Sequence, residues 1–149
     1  MNPNAFDGLA HQLEVDVRYA DTDQMGYAHH SCAIVWFEMG RVGWMRDLGW
    51  SYRDLEARGV LMPVVRVNLQ YHTPARFEDR LQVRTTLVEL GRSRVAFFNE
   101  VVRLAPGAAL KLSEGRVDLA CVDREGRVQR LPEELRTEFA KLLAPEKQP

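Results

Sequence analysis

Two aspartates two places apart, Asp21 and Asp23, and two adjacent histidines, His29 and His30, fall between positions 21 and 30. Carboxylates and imidazoles so close together can activate water, attack a carbonyl carbon or hold a metal ion. They lead directly into an apolar run, 31–48, that is too long for a strand and rich in helix formers. A helix start carries unpaired N–H groups and a partial positive charge. That end can therefore receive an oxyanion, and its field favours the ionised form of a nearby carboxylate.

The metal readings fail on residue types. Asp21-Thr22-Asp23-Gln24-Met25-Gly26 opens like an EF-hand loop, but its fifth position is Met25 and its twelfth would be Cys32. Neither offers the oxygens that calcium requires. Adjacent histidines diverge, and no pair is spaced to share a helix face, so zinc or iron has no ligand set. No metal and no cofactor are expected. Cys32 and Cys121 sit in apolar runs, read as small core residues, and suit a reducing compartment. Arg92 and Arg94, flanking Ser93 at a strand-to-strand turn, form the best pair for clamping an anion, with Arg76 and Arg127 behind them. Ordinary solvated charge is the plain alternative for that pair.

The surrounding elements follow from periodicity and punctuation. Alternation predicts a half-buried strand over 13–19, and a polar loop covers 20–29. The 31–48 helix is apolar around most of its circumference, which predicts burial on all sides. Gly40 and Gly43, each costing about 1 kcal/mol in a helix interior, imply close approach of another backbone. A short helix over 51–58 starts at Ser51 and stops at Gly59. Strands are expected over 60–71, 81–90, 94–104 and 108–122, with a bulge at 113–115 and turns at 105–107 and 123–126. A last helix covers 132–143, and the ends, 1–8 and 144–149, read as loose. One long apolar helix cannot hide in a flat sheet. The economical answer is an α+β domain, a curved antiparallel sheet wrapped around the helix.

At 149 residues this is one domain, with a core over about 13–123 and the terminal helix beyond it. A net charge of −1 offers no general attraction to nucleic acid or to an anionic membrane. No run approaches the roughly 20 apolar residues of a membrane helix, and 1–12 lacks a signal-peptide pattern. A cytoplasmic protein is expected.

The segment from Val17 to His30 resembles the signature of the 4-hydroxybenzoyl-CoA thioesterase branch of the hotdog superfamily. An aromatic, Tyr19, is followed by Asp21-Thr22-Asp23-Gln24-Met25-Gly26 and then a short approach to the buried helix. Met62-Pro63-Val64-Val65 and Tyr71-His72-Thr73-Pro74-Ala75-Arg76 extend the likeness. The resemblance implies the hotdog fold and hydrolysis of acyl-coenzyme A thioesters. It makes Asp23 the catalytic carboxylate, as nucleophile or general base, and Asp21 a residue that satisfies nearby N–H groups. His30 takes the position whose backbone N–H meets the thioester carbonyl, its ring placing water or Asp23. Gly26 and Tyr27 belong to the substrate loop, Pro63, Val64 and Val65 to an acyl tunnel completed by a facing subunit, and Arg92 and Arg94 to the coenzyme A phosphates. A homo-oligomer is implied, a dimer or a dimer of dimers. A non-catalytic acyl-CoA-binding module of the same fold is the rival reading, and it should lack the carboxylate.

Overall fold

The structure, a computed structural model, describes residues 3–145. A short strand β1 (Phe6–Asp7) folds back on β2 (Ala10–Asp16), and the chain then enters α1 (Cys32–Asp47) and α2 (Tyr52–Ala57). Four strands follow: β3 (Val64–Tyr71), β4 (Arg80–Leu90), β5 (Arg94–Ala105) and β6 (Ala108–Ala120), closed by α3 (Glu133–Ala140). All six strands form one antiparallel sheet in the order β1-β2-β4-β5-β6-β3. The two helices between β2 and β3 carry the chain from one side of the sheet to its opposite edge. The sheet curves around α1, which is the hotdog arrangement.

Two glycines decide how closely α1 can lie on the sheet. A Cβ on Gly40 would fall on the hydroxyl of Thr85 in β4, and one on Gly43 would sit 2.8 Å from Cε1 of His11 in β2. The close approach expected there exists, but it is made to side chains rather than to backbone. Beyond Gly43, the Trp44 ring stands edge-on to Phe97 and Phe139, at 5.1 and 4.8 Å. Phe37, Trp44 and Met45 are fully buried. At the end of α1, His11 Nε2 lies 2.8 Å from the Asp47 carboxylate, and Gly49 at φ +99° turns the chain away.

The expectation that α1 is buried all round does not hold. Ile34, Val35, Met39 and Val42 are 41 to 54% exposed. The sheet covers one face of the helix only, and a single chain has nothing to lay on the other. β3 is open in the same way. It is an outer strand paired on one side to β6, and Val64, Val65 and Val67 are exposed along it.

Other departures are local. The strand expected over 13–19 runs from Ala10 to Asp16 and gives way to a 3-10 turn at Tyr19–Asp21. The Asp21 carboxylate forces that turn by accepting the Arg18 N–H at 2.9 Å and its guanidinium at 2.7 Å. The bulge lies at Leu112 rather than at 113–115: Val101 pairs with Ser113, Val102 with Lys111, and the strand is continuous beyond. Of the ends expected to be loose, 3–8 form a 3-10 turn and β1, and the Ala144 N–H donates to the Leu87 carbonyl at 2.9 Å. Positions 1, 2 and 146–149 lie outside the described residues.

Candidate active site

The loop between β2 and α1 is pinned at several points. The Asp23 N–H donates to the Tyr27 carbonyl at 2.8 Å, the Ala28 N–H to Ala75 at 2.8 Å and the His29 N–H to Asp21 at 2.7 Å. Gly26, at φ +78°, makes the left-handed step that an L side chain resists. One oxygen of Asp23 accepts the Met25 N–H at 2.9 Å, an Asx turn. Its other carboxylate oxygen has no partner among the described residues.

Asp23 lines a cavity of about 350 Å³. Asp23 and Tyr27 line it from the loop, His29 and His30 from the approach to α1, and Ala33 and Trp36 from the helix itself. The far wall is the end of β3 and the residues after it, 71–75, backed by Leu112 and Ser113 at the bulge. The bulge shapes that wall, because the Leu112 carbonyl accepts both the His72 and Thr73 N–H groups, at 2.8 and 3.1 Å.

The start of α1 is partly capped and partly open. The His29 ring nitrogen Nδ1 lies 2.8 Å from the Ser31 hydroxyl and accepts the Ser31 N–H at 3.3 Å. The Cys32 N–H donates to the His29 carbonyl at 2.9 Å. The N–H groups of His30, Ala33 and Ile34 have no acceptor among the described residues. Unpaired donors at a helix start that shares a cavity with a carboxylate can bind and polarise a carbonyl while the carboxylate activates water or attacks.

The two aspartates therefore have different employments. Asp21 is buried, and the hydrogen bond from the Arg18 side chain holds its carboxyl below the usual carboxylate range against the opposing effect of burial. Asp23 has no such ion pair among the described residues. Burial pushes the Cys32 thiol up, with the Asp21 charge adding to the effect, so Cys32 is a neutral thiol at the first turn rather than a nucleophile.

Among the residues singled out from sequence, Asp23, Tyr27 and His30 meet at this cavity, with Gly26 in the turn that joins them. Pro63, Val64 and Val65 stand at the start of β3, whereas its last residue, Tyr71, is the one in the cavity wall. The seven steps between Val64 and Tyr71 span roughly 23 Å. Arg92 and Arg94 lie at the turn between β4 and β5, the same end of the sheet as Val64. None of these five reaches the cavity within one chain. Tyr71, His72, Thr73, Leu112 and Ser113 are wall residues that composition and periodicity did not mark. The only signal for Tyr71, His72 and Thr73 was the likeness of the stretch from Tyr71 to Arg76, and for Ser113 the bulge expected at 113–115. Trp36 both packs in the core and lines the cavity. Arg76 stacks over the Tyr27 ring at 4.8 Å.

Comparison with known proteins gives the family. Residues 17–139 match the family described as the Thioesterase-like superfamily. The chain is 35% identical over 112 residues to YneP of Bacillus subtilis, covering 75% of this chain and 79% of that protein. It is 30% identical over 110 residues to the acyl-CoA thioesterase YbgC of Haemophilus influenzae, covering 73% and 78%. Among solved structures, a hypothetical protein from Thermus thermophilus superposes with a TM-score of 0.81 at 38% identity, covering 88% of this chain and 98% of that one.

Proposed function

The chain belongs to the thioesterase-like superfamily and is an acyl-CoA thioesterase, and we propose that Asp23 performs the hydrolysis against a carbonyl held by the amides at the start of α1. The observation that carries this reading is that Asp23, one of whose carboxylate oxygens has no partner among the described residues, lines the same cavity as His30, whose N–H has no acceptor there. As general base, Asp23 takes a proton from water whose oxygen attacks the thioester carbon. As nucleophile, its own oxygen attacks first and water releases the resulting anhydride. In both routes the carbonyl oxygen gains negative charge beside the helix amides, the carbon–sulfur bond breaks, and coenzyme A departs as a thiol once a proton returns to sulfur. A thioester is already electrophilic and its leaving group is good. Positioning and oxyanion stabilisation therefore carry most of the catalysis.

The working unit is a homo-oligomer. β3 is an unpaired edge carrying exposed valines, the kind of edge that a second copy covers. Two copies of β3 paired antiparallel about a two-fold axis near its middle would bring the start of one strand beside the end of the other. That pairing would deliver Pro63, Val64 and Val65 of the partner subunit to the cavity wall at Tyr71, as an acyl tunnel shared by two chains requires. It would also turn the partner's Arg92 and Arg94 towards the cavity mouth, where coenzyme A phosphates need cations. The exposed face of α1 offers a further apolar surface for doubling a dimer to a tetramer. Both cysteines are free, as in the reducing cytoplasm.

Free-thiol release from a series of acyl-coenzyme A esters, short aliphatic, medium-chain and aromatic, tests the reading when wild type and Asp23→Asn are run side by side. The wild type should turn over at least one acyl class and the variant none at a comparable rate. A variant as fast as the wild type would reject the assignment of Asp23.

A further inference from the structure

Tyr71 ends β3, and its ring forms part of the cavity wall. Its hydroxyl donates to the backbone carbonyl of His30, a contact between two segments 41 residues apart in the chain. In a continuing α-helix that carbonyl would accept the N–H of Ile34, four residues on. It does not, and the Ile34 N–H is among the amides left open at the start of α1. The His30 carbonyl is satisfied from the far wall of the cavity instead of from its own helix.

We propose that Tyr71 is a positioning residue for hydrolysis: by holding the His30 carbonyl from across the cavity, its hydroxyl keeps the approach to α1 open, so that the adjacent amides stay unpaired and aimed at the substrate. This inference rests on the reading of the helix start as the oxyanion site. The hydroxyl touches no reacting atom in this scheme and acts through the peptide it holds. Burial pushes the Tyr71 phenol up, so it remains a protonated donor across the range in which a thioesterase works. Without the hydroxyl, the His30 carbonyl is free to turn back onto the Ile34 N–H. The helix would gain a regular turn and the site would lose the alignment of its donors. The fold loses little in that exchange, because one hydrogen bond replaces another. Catalysis loses more, because oxyanion stabilisation depends steeply on where donors point.

Tyr71→Phe removes the hydroxyl and keeps the ring. Measured on the full chain with its best acyl-coenzyme A, the variant should lose roughly 10- to 100-fold in kcat, with KM within about twofold of wild type. Its affinity for a non-hydrolysable thioether analogue of that substrate should be unchanged. Wild-type kcat in Tyr71→Phe, alongside an inactive Asp23→Asn, would overturn this inference and leave the catalytic assignment standing. An active Asp23→Asn would instead reject the catalytic assignment itself. If Tyr71→Phe melts earlier, the kinetics are repeated well below its midpoint. A loss of kcat no greater than the loss of folded fraction, or a matching loss of analogue affinity, would also overturn the proposal.

Discussion

The two ends of α1 are built to opposite specifications. Towards its C-terminal end the helix is pressed onto the sheet through Gly40 and Gly43, with Trp44 wedged between Phe97 and Phe139. His11 is tied there to Asp47 and Thr85 to Asn99, while His11 Nδ1, Trp44 Nε1 and Asn99 Nδ2 are buried without a hydrogen-bond partner among the described residues. At its N-terminal end the helix opens on a cavity. Among the described residues its amides lack acceptors and a carboxylate oxygen has no partner, and two histidines are exposed. Packing at one end makes the helix a rigid post, and the want of packing at the other leaves its dipole and donors available for a ligand. Stability and chemistry are thus separated along one element by about three turns.

Substitutions at the two ends should therefore fail in different ways. Asp23→Asn should cost at least about 1000-fold in turnover, roughly 4 kcal/mol of transition-state stabilisation, and leave Tm nearly unmoved. A large fall in Tm would show that the open end also bears structural load and would break the contrast. Trp44→Ala, at the packed end, should destabilise by about 3–5 kcal/mol in denaturant titration, while the protein that remains folded keeps the wild-type KM. Gly40→Ala drives a methyl group into the Thr85 hydroxyl and should cost about 1–3 kcal/mol, with a reduced kcat only if the whole helix is displaced.

The smallest effect belongs to the neighbour of the catalytic loop. The Asp21 carboxyl titrates lower in the folded chain than in the unfolded one, because Arg18 hydrogen-bonds its charged form. Its contribution to stability is therefore present above about pH 4 and is lost as pH falls through the folded value. Arg18→Ala should lower Tm by a few degrees at neutral pH, and the gap to wild type should close in acid. A gap that persisted unchanged below that range would mean that Arg18 acts through packing alone.

How much of this was legible beforehand differs between the same two regions. The catalytic loop is continuous in sequence. The left-handed Gly26, the Asx turn of Asp23 and the tie of Asp21 to Arg18 are made by residues within a few positions of one another, so the loop's chemistry was visible in its residue types, while the choice of Asp23 over Asp21 came from the family resemblance. The far wall is not continuous. Tyr71 reaches His30 only because β3 crosses to the opposite edge of the sheet, and Leu112 shapes the wall only because a bulge falls there. The same limit explains the error about α1. Its apolar residues do cover most of the circumference, but a hydrophobic surface does not say whether its own chain or another copy will cover it.

By itself, the sequence determined that a long apolar helix must be wrapped by antiparallel strands and that a loop with a spare carboxylate leads into its start. Both are consequences of local periodicity and of side-chain chemistry within a few residues. Only the tertiary structure decided which distant strand end closes the cavity and where the bulge behind it falls. It also decided which faces of the helix and sheet remain open. Those outcomes depend on strand order and register, which bring together residues that no sequence spacing relates.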